Sequence, residues 1–191
     1  MPVYRSIAAG AVAAVLLSPA SHAFPDRDID FVIPYGPGGG NDTIVRMIAP
    51  FLEEHLPGEH LVIPRNIAGA GGQRGAATVS RAAPDGHVVG LFPMPGLALP
   101  EILGEPTEFD LREITWIGRI EASYYALLVP ASSDIHTLDD FVDGREIVFL
   151  ATGFGSTMLS ASQMVAAALD VDARYITGYQ SSSEALVGLL R

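Results

Sequence analysis

Three glycine-rich segments constrain this chain most: Gly36-Pro37-Gly38-Gly39-Gly40-Asn41-Asp42, Gly69-Ala70-Gly71-Gly72-Gln73 and Thr152-Gly153-Phe154-Gly155-Ser156-Thr157. Each follows a short apolar run and precedes a stretch of helical periodicity, so each is a strand-to-helix turn. Strand, turn and helix in repetition predict an α/β protein with a largely parallel sheet. Such turns expose backbone N–H groups at the positive end of a helix dipole, and these bind a small anion without any basic side chain. That matters here, because the chain has no lysine and its 11 basic residues are all arginine. One such turn alone would be a tight connection and nothing more. Three in the same context point to a shared site for a carboxylate or similar anion.

The pattern runs the length of the chain. Ile29-Asp30-Phe31-Val32-Ile33, closed by Pro34, predicts a buried strand. Ile44, Met47, Ile48, Phe51 and Leu52 recur at the spacing of an amphipathic helix, capped by Asn41 or Asp42 and stopped by Pro57-Gly58. The unit repeats with a strand at Leu61-Val62-Ile63, a helix over 73–83 and a third strand over 87–92. Residues 93–106, rich in proline, predict a long surface loop with one helical turn in 97–103. Trp116-Ile117-Gly118 and residues 124–129 predict strands around a domain crossing near 121–123. A short helix over 137–142 and a strand over 146–151 lead into the third turn. Met158, Ala161, Ser162, Val165, Ala168 and Leu169 then form another helical stripe, followed by a strand over 174–177. A last helix opens over 183–190 and stops without a C-cap, which predicts a chain cut short.

Residues 1–23 predict a cleaved secretory signal. Arg5 is a basic start, 7–17 is an uncharged apolar run, and Ser21-His22-Ala23 supplies the small residues read at cleavage. The run is well short of the roughly 20 residues needed to span a bilayer. The expected product begins at Phe24, is periplasmic and has no membrane insertion. It carries ten arginines against all 22 Asp and Glu, a net charge of −12, which argues against nucleic acid as a partner. With no cysteine there is no disulfide or thiolate chemistry. A phosphate-binding P-loop needs a lysine, and neither Gly36 nor Gly69 starts the glycine spacing of a dinucleotide fingerprint. Ser156 lacks the setting of a nucleophile elbow, and His55, His60, His87 and His136 lack metal-ligand spacing. No metal and no cofactor are expected.

These segments resemble the periplasmic solute-binding proteins of tripartite tricarboxylate transporters, the Bug family. The matching stretches are Phe24-Pro25-Asp26-Arg27, residues 33–42, residues 66–75 with Ala83-Pro84-Asp85-Gly86, Phe109-Asp110, Trp116-Ile117-Gly118, the third turn and Thr177-Gly178-Tyr179. The resemblance implies a type II periplasmic-binding-protein-like clamshell of two α/β lobes. The expected division is a first lobe over 24–122 and a partial second lobe over 123–191, because family members run on further. It implies a non-enzymatic protein that captures a small organic carboxylate, such as a di- or tricarboxylate, an acidic amino acid or an aromatic acid. The implied partners are that ligand and the membrane subunits of the transporter. By motif match Tyr35, Gly38, Gly39, Gly40 and Asn41 line one side of the site, Ala70, Gly71 and Gly72 its floor, and Thr152, Gly155, Ser156 and Thr157 the opposite lobe. Tyr179 closes the far side. The alternatives are a secreted α/β enzyme acting on a carboxylate or ester, and a nonfunctional gene fragment.

Overall fold

The computed structural model describes residues 24–122 and 124–190; the expected signal peptide, 1–23, lies outside the described residues. Strand β1 (Ile29–Ile33) buries four of its five residues, as a central parallel strand covered on both faces must. It pairs in parallel with β2 (Val62–Asn66), Ile29 opposite Val62, and with β3 (Val88–Gly90), Phe31 opposite Val89. Helix α1 (Gly40–His55) connects β1 to β2, and α2 (Gln73–Ser80), entered through a 3-10 turn at Ala70–Gly72, connects β2 to β3. The strand order is therefore β2-β1-β3. Strands β2 and β3 thus lie on opposite sides of β1, which makes its carboxyl end a topological switch point, where ligands bind in open α/β sheets.

A second parallel pair is formed by β4 (Ile147–Leu150) and β5 (Ala173–Ile176), Ile147 opposite Ala173. Between the sheets lie α3 (Met94–Ile102) and the short α4 (Leu138–Phe141). Helix α5 (Thr157–Leu169) joins β4 to β5, and α6 (Ser182–Leu189) follows β5. Val32, Ile33 and Val45 are almost wholly buried in the first sheet and its helix, each worth about 1.5–3 kcal/mol of transfer. In the second sheet Phe149 stacks on Tyr175 at 5.7 Å and meets Phe141 edge-on. Among the described residues no helix is long and apolar enough to cross a membrane.

Several expectations are corrected. Residues 93–106 are not a loop with a single turn: α3 runs through Pro95 and Pro100 and buries Gly96, Leu97 and Pro100. Proline is tolerated in the first helical turn, and packing of α3 on α5 supplies the rest. Trp116-Ile117-Gly118 and 124–129 form no strand. They are apolar but have no ladder partner among the described residues, and Ile117 is 86% and Tyr124 101% exposed. The stripe on α1 is also displaced. Val45 and Ala49 face the sheet, while Met47 and Phe51 are 61% and 62% exposed. On α5 the buried positions are Thr157, Leu159, Ser160 and Ala166 rather than the expected set. Helix α1 has no side-chain cap; Gly39 holds the N-cap position.

Candidate functional site

All three glycine turns leave the carboxyl ends of their strands, and the fold brings them together. In the first, Gly38 has φ +78° and donates its N–H to Asp42 Oδ2 at 2.9 Å. Asp42 is buried and also accepts from Arg46 Nε and Asn66 Nδ2, each at 3.0 Å. Burial alone would raise its pKa, but these donors outweigh it and hold the carboxyl below its ordinary range. An internal carboxylate thus already occupies part of this helix start. Gly40 and Asn41 begin the helix with first-turn amides that have no partner within it. The Asn41 side-chain Nδ2 is buried and unpaired.

The first turn is tied to the second through Tyr35. Its hydroxyl donates to the Gly71 carbonyl at 3.1 Å, and its own carbonyl accepts from Asn66. Burial, aided by Tyr125, pushes this phenol up to about 12, so it remains a donor at neutral pH. In the second turn Gly69, Ala70, Gly71 and Gly72 all have positive φ. Ala70 alone carries a side chain there, at φ +48°, a strained conformation of the kind that collects at binding sites.

The second turn meets the third backbone to backbone. A Cβ on Gly71 would run into the Phe154 carbonyl and lie 2.7 Å from Ser156 N, and one on Gly153 would lie 3.0 Å from Gly71 N. Thr152 is half-buried beside this seam, and Gly155 is buried at φ +74°. The Ser156 hydroxyl turns inward to cap α5, accepting from Leu159 N at 3.2 Å. Thr157 Oγ1 accepts from Gly96 N at 3.0 Å and faces the Pro93 carbonyl. Both hydroxyls serve the protein's own contacts. The Tyr179 ring lies against Gly188 of α6, next to Gln180, which reaches the first turn.

Sequence reasoning missed a fourth corner. Gly36 donates its N–H to the Gln180 carbonyl at 2.7 Å, Ser183 Oγ donates to the Gly38 carbonyl at 2.6 Å, and Gly39 packs on Ser181. The one available signal was Ser181 three residues before Glu184, a capping spacing; Ser181 Oγ accepts from Glu184 N. It missed Gln73 as well, whose amide nitrogen and oxygen are both buried without a partner. Four helix N-termini, those of α1, α2, α5 and α6, thus gather at one place, drawn from both sheets. Beside them a cleft of about 360 Å³ has Gln73, Arg74, Glu105, Glu108, Pro100 and Phe154 among its lining residues. A second cleft, of about 350 Å³, holds Arg27 and Arg65. Both are paired there with carboxylates, Arg27 with Asp85 and Arg65 with Asp30. Among the described residues no His, Cys, Asp and Glu group could hold a metal ion.

Residues 44–191 match a family described as the tripartite tricarboxylate transporter family receptor. The chain belongs to that family. A relative from the tcbD-tcbE intergenic region of Pseudomonas sp. (strain P51) is 30% identical over 175 residues, covering 88% of this chain and 51% of its own. The solved periplasmic binding protein BugD shares the fold at TM-score 0.68 and 23% identity, covering 87% of this chain and 56% of that one. MatC from Rhodopseudomonas palustris, solved with bound malate, matches at TM-score 0.56 and 22% identity, with 87% and 57% covered. The fold is that of the periplasmic binding proteins, with the second lobe incomplete in this chain. The chain spans about half the length of the relatives it matches.

Proposed function

We propose that this receptor-family chain acts in the periplasm, after cleavage of residues 1–23, to capture a small organic carboxylate and present it to the membrane subunits of a tripartite tricarboxylate transporter. The observation that carries the proposal is the meeting of glycine turns from both sheets, with four helix N-termini around one seam and no lysine in the chain. A carboxylate touching amides of both lobes binds their closed arrangement better than an open one, and so shifts the population toward closure. Each helix N-terminus contributes about 0.3–1 kcal/mol, so four fall short of the roughly 8 kcal/mol of a micromolar complex. Tyr35, Asn41 and Phe154 supply the remaining hydrogen bonds and apolar contact. The solved MatC with malate supports a short carboxylate as the ligand. Titration calorimetry with succinate, L-malate, L-aspartate, citrate and benzoate tests the reading. Saturable binding of at least one acid is expected, and heats no larger than dilution for all five would overturn it.

A further inference from the structure

Gln73 stands apart from the other groups at the seam. It is the first residue of α2, and neither its amide nitrogen nor its amide oxygen has a hydrogen-bond partner or contact with solvent. The position a Cβ would take on Gly155 lies 3.3 Å from Gln73 Nε2 and 2.9 Å from the Pro100 ring, and neither residue has a side-chain hydrogen-bonding group. An amide buried in this way carries the full desolvation penalty of both its donor and its acceptor. Native proteins rarely leave such a group, and those that persist ask for an explanation. Nothing in the local backbone requires glutamine here, since the first turn of a helix accepts most side chains.

The cleft that Gln73 lines has Ala70, Pro100 and Phe154 as apolar wall, with polar groups from Arg74, Glu105, Thr107 and Glu108 along its rim. Arg74 borders it and makes no ion pair among the described residues, whereas the neighbouring Glu108 is held by Arg81 at 2.6 Å. A plain carboxylate entering the cleft would answer the guanidinium and the amide NH2, since it only accepts. It would leave Gln73 Oε1 orphaned. A ligand that also carries a hydroxyl or an ammonium answers both atoms of the Gln73 amide, and its donor suits the Glu105 carboxylate on the same cleft.

We propose that Gln73 is a specificity-determining residue, selecting short dicarboxylates that bear a hydrogen-bond donor beside a carboxylate over those that lack one. This rests on the carboxylate-capture reading given above. Succinate, L-malate and L-aspartate share one four-carbon skeleton and differ only at C2, which carries hydrogen, hydroxyl or ammonium. By calorimetry the unaltered chain is expected to bind L-malate or L-aspartate about tenfold or more tighter than succinate, and whichever is tighter identifies the donor. In Gln73→Met, similar in length and without the amide, that preference should fall to about twofold or less, the donor-bearing acid losing more affinity than succinate. The melting temperature should hold or rise, because a buried unpaired amide has been removed; Gln73→Leu serves if Gln73→Met does not fold. Equal affinity of the unaltered chain for all three acids, or a preference that survives in the folded variant, would overturn the proposal. Failure of the unaltered chain to bind any acid sinks the capture reading and this inference together.

Discussion

Glycine at position 71 is required twice, by its φ of +64° and by the backbone it faces. An alanine there would strain the turn and drive a methyl into the Phe154 carbonyl and Ser156 N. Gly71→Ala should weaken carboxylate binding by about tenfold or more, because the clash across the seam penalises the closed arrangement of the lobes beyond the strain of the turn itself; calorimetry beside a thermal melt separates this from global unfolding. Asp42 gives a prediction with a sign. Its folded pKa lies below the ordinary 3.8, so its stabilising effect is complete above that value and is lost as pH falls through the lower folded pKa. Asp42→Asn should therefore be less stable than the unaltered chain at about pH 6, with the gap closing toward about pH 3. Urea unfolding at the two pH values measures it.

At the level of elements, Ser156 and Thr157 hold the third turn against α3. Ser156→Ala removes a buried N-cap, a loss of about 1 kcal/mol. Thr157→Val also strips the partner from Gly96 N, so urea midpoints should fall further in the double variant. Neither change removes a hydroxyl that is free for a ligand, so affinity should fall less than in Gly71→Ala. Much of this level is legible in the residues alone. Ile29–Ile33 is apolar apart from Asp30 and reads as central, and the glycine turns announce the carboxyl ends of the strands. Helix α1 is harder, since its apolar arc, Ile44, Val45, Met47, Ile48, Ala49, Phe51 and Leu52, is broader than the face that meets the sheet. Helix α3 is hidden by its prolines, and only the packing of Gly96 on Thr157 explains why the chain stays helical there. Gln180–Ser183 reaches the first turn by folding across from the second sheet, a contact between positions 145 apart in the case of Ser183 and Gly38, which no local pattern encodes.

For the molecule as a whole, the apolar residues left uncovered matter most. Trp116, Ile117, Tyr124, Tyr125, Leu127 and Leu128 are exposed along one irregular stretch, and Met47 and Phe51 are exposed on α1. Contiguous apolar surface and unpaired extended backbone favour self-association. Sedimentation velocity should show an average mass that rises with concentration, and Ile117→Glu with Tyr124→Glu should reduce that rise; a monomer at all concentrations would refute the expectation.

That same irregular stretch has a further consequence. Trypsin cuts only after arginine in a chain without lysine, and between residues 115 and 129 the one arginine is Arg119. A brief digest should sever the chain there before it reaches arginines within helices and strands, giving pieces 24–119 and 120–191. The first piece carries β1, β2 and β3 and the second carries β4 and β5, so the nick falls between the sheets. If the glycine seam and the Ser183 contact hold the pieces together, they will co-elute until denaturant is added, and a carboxylate that tightens the seam will delay their parting.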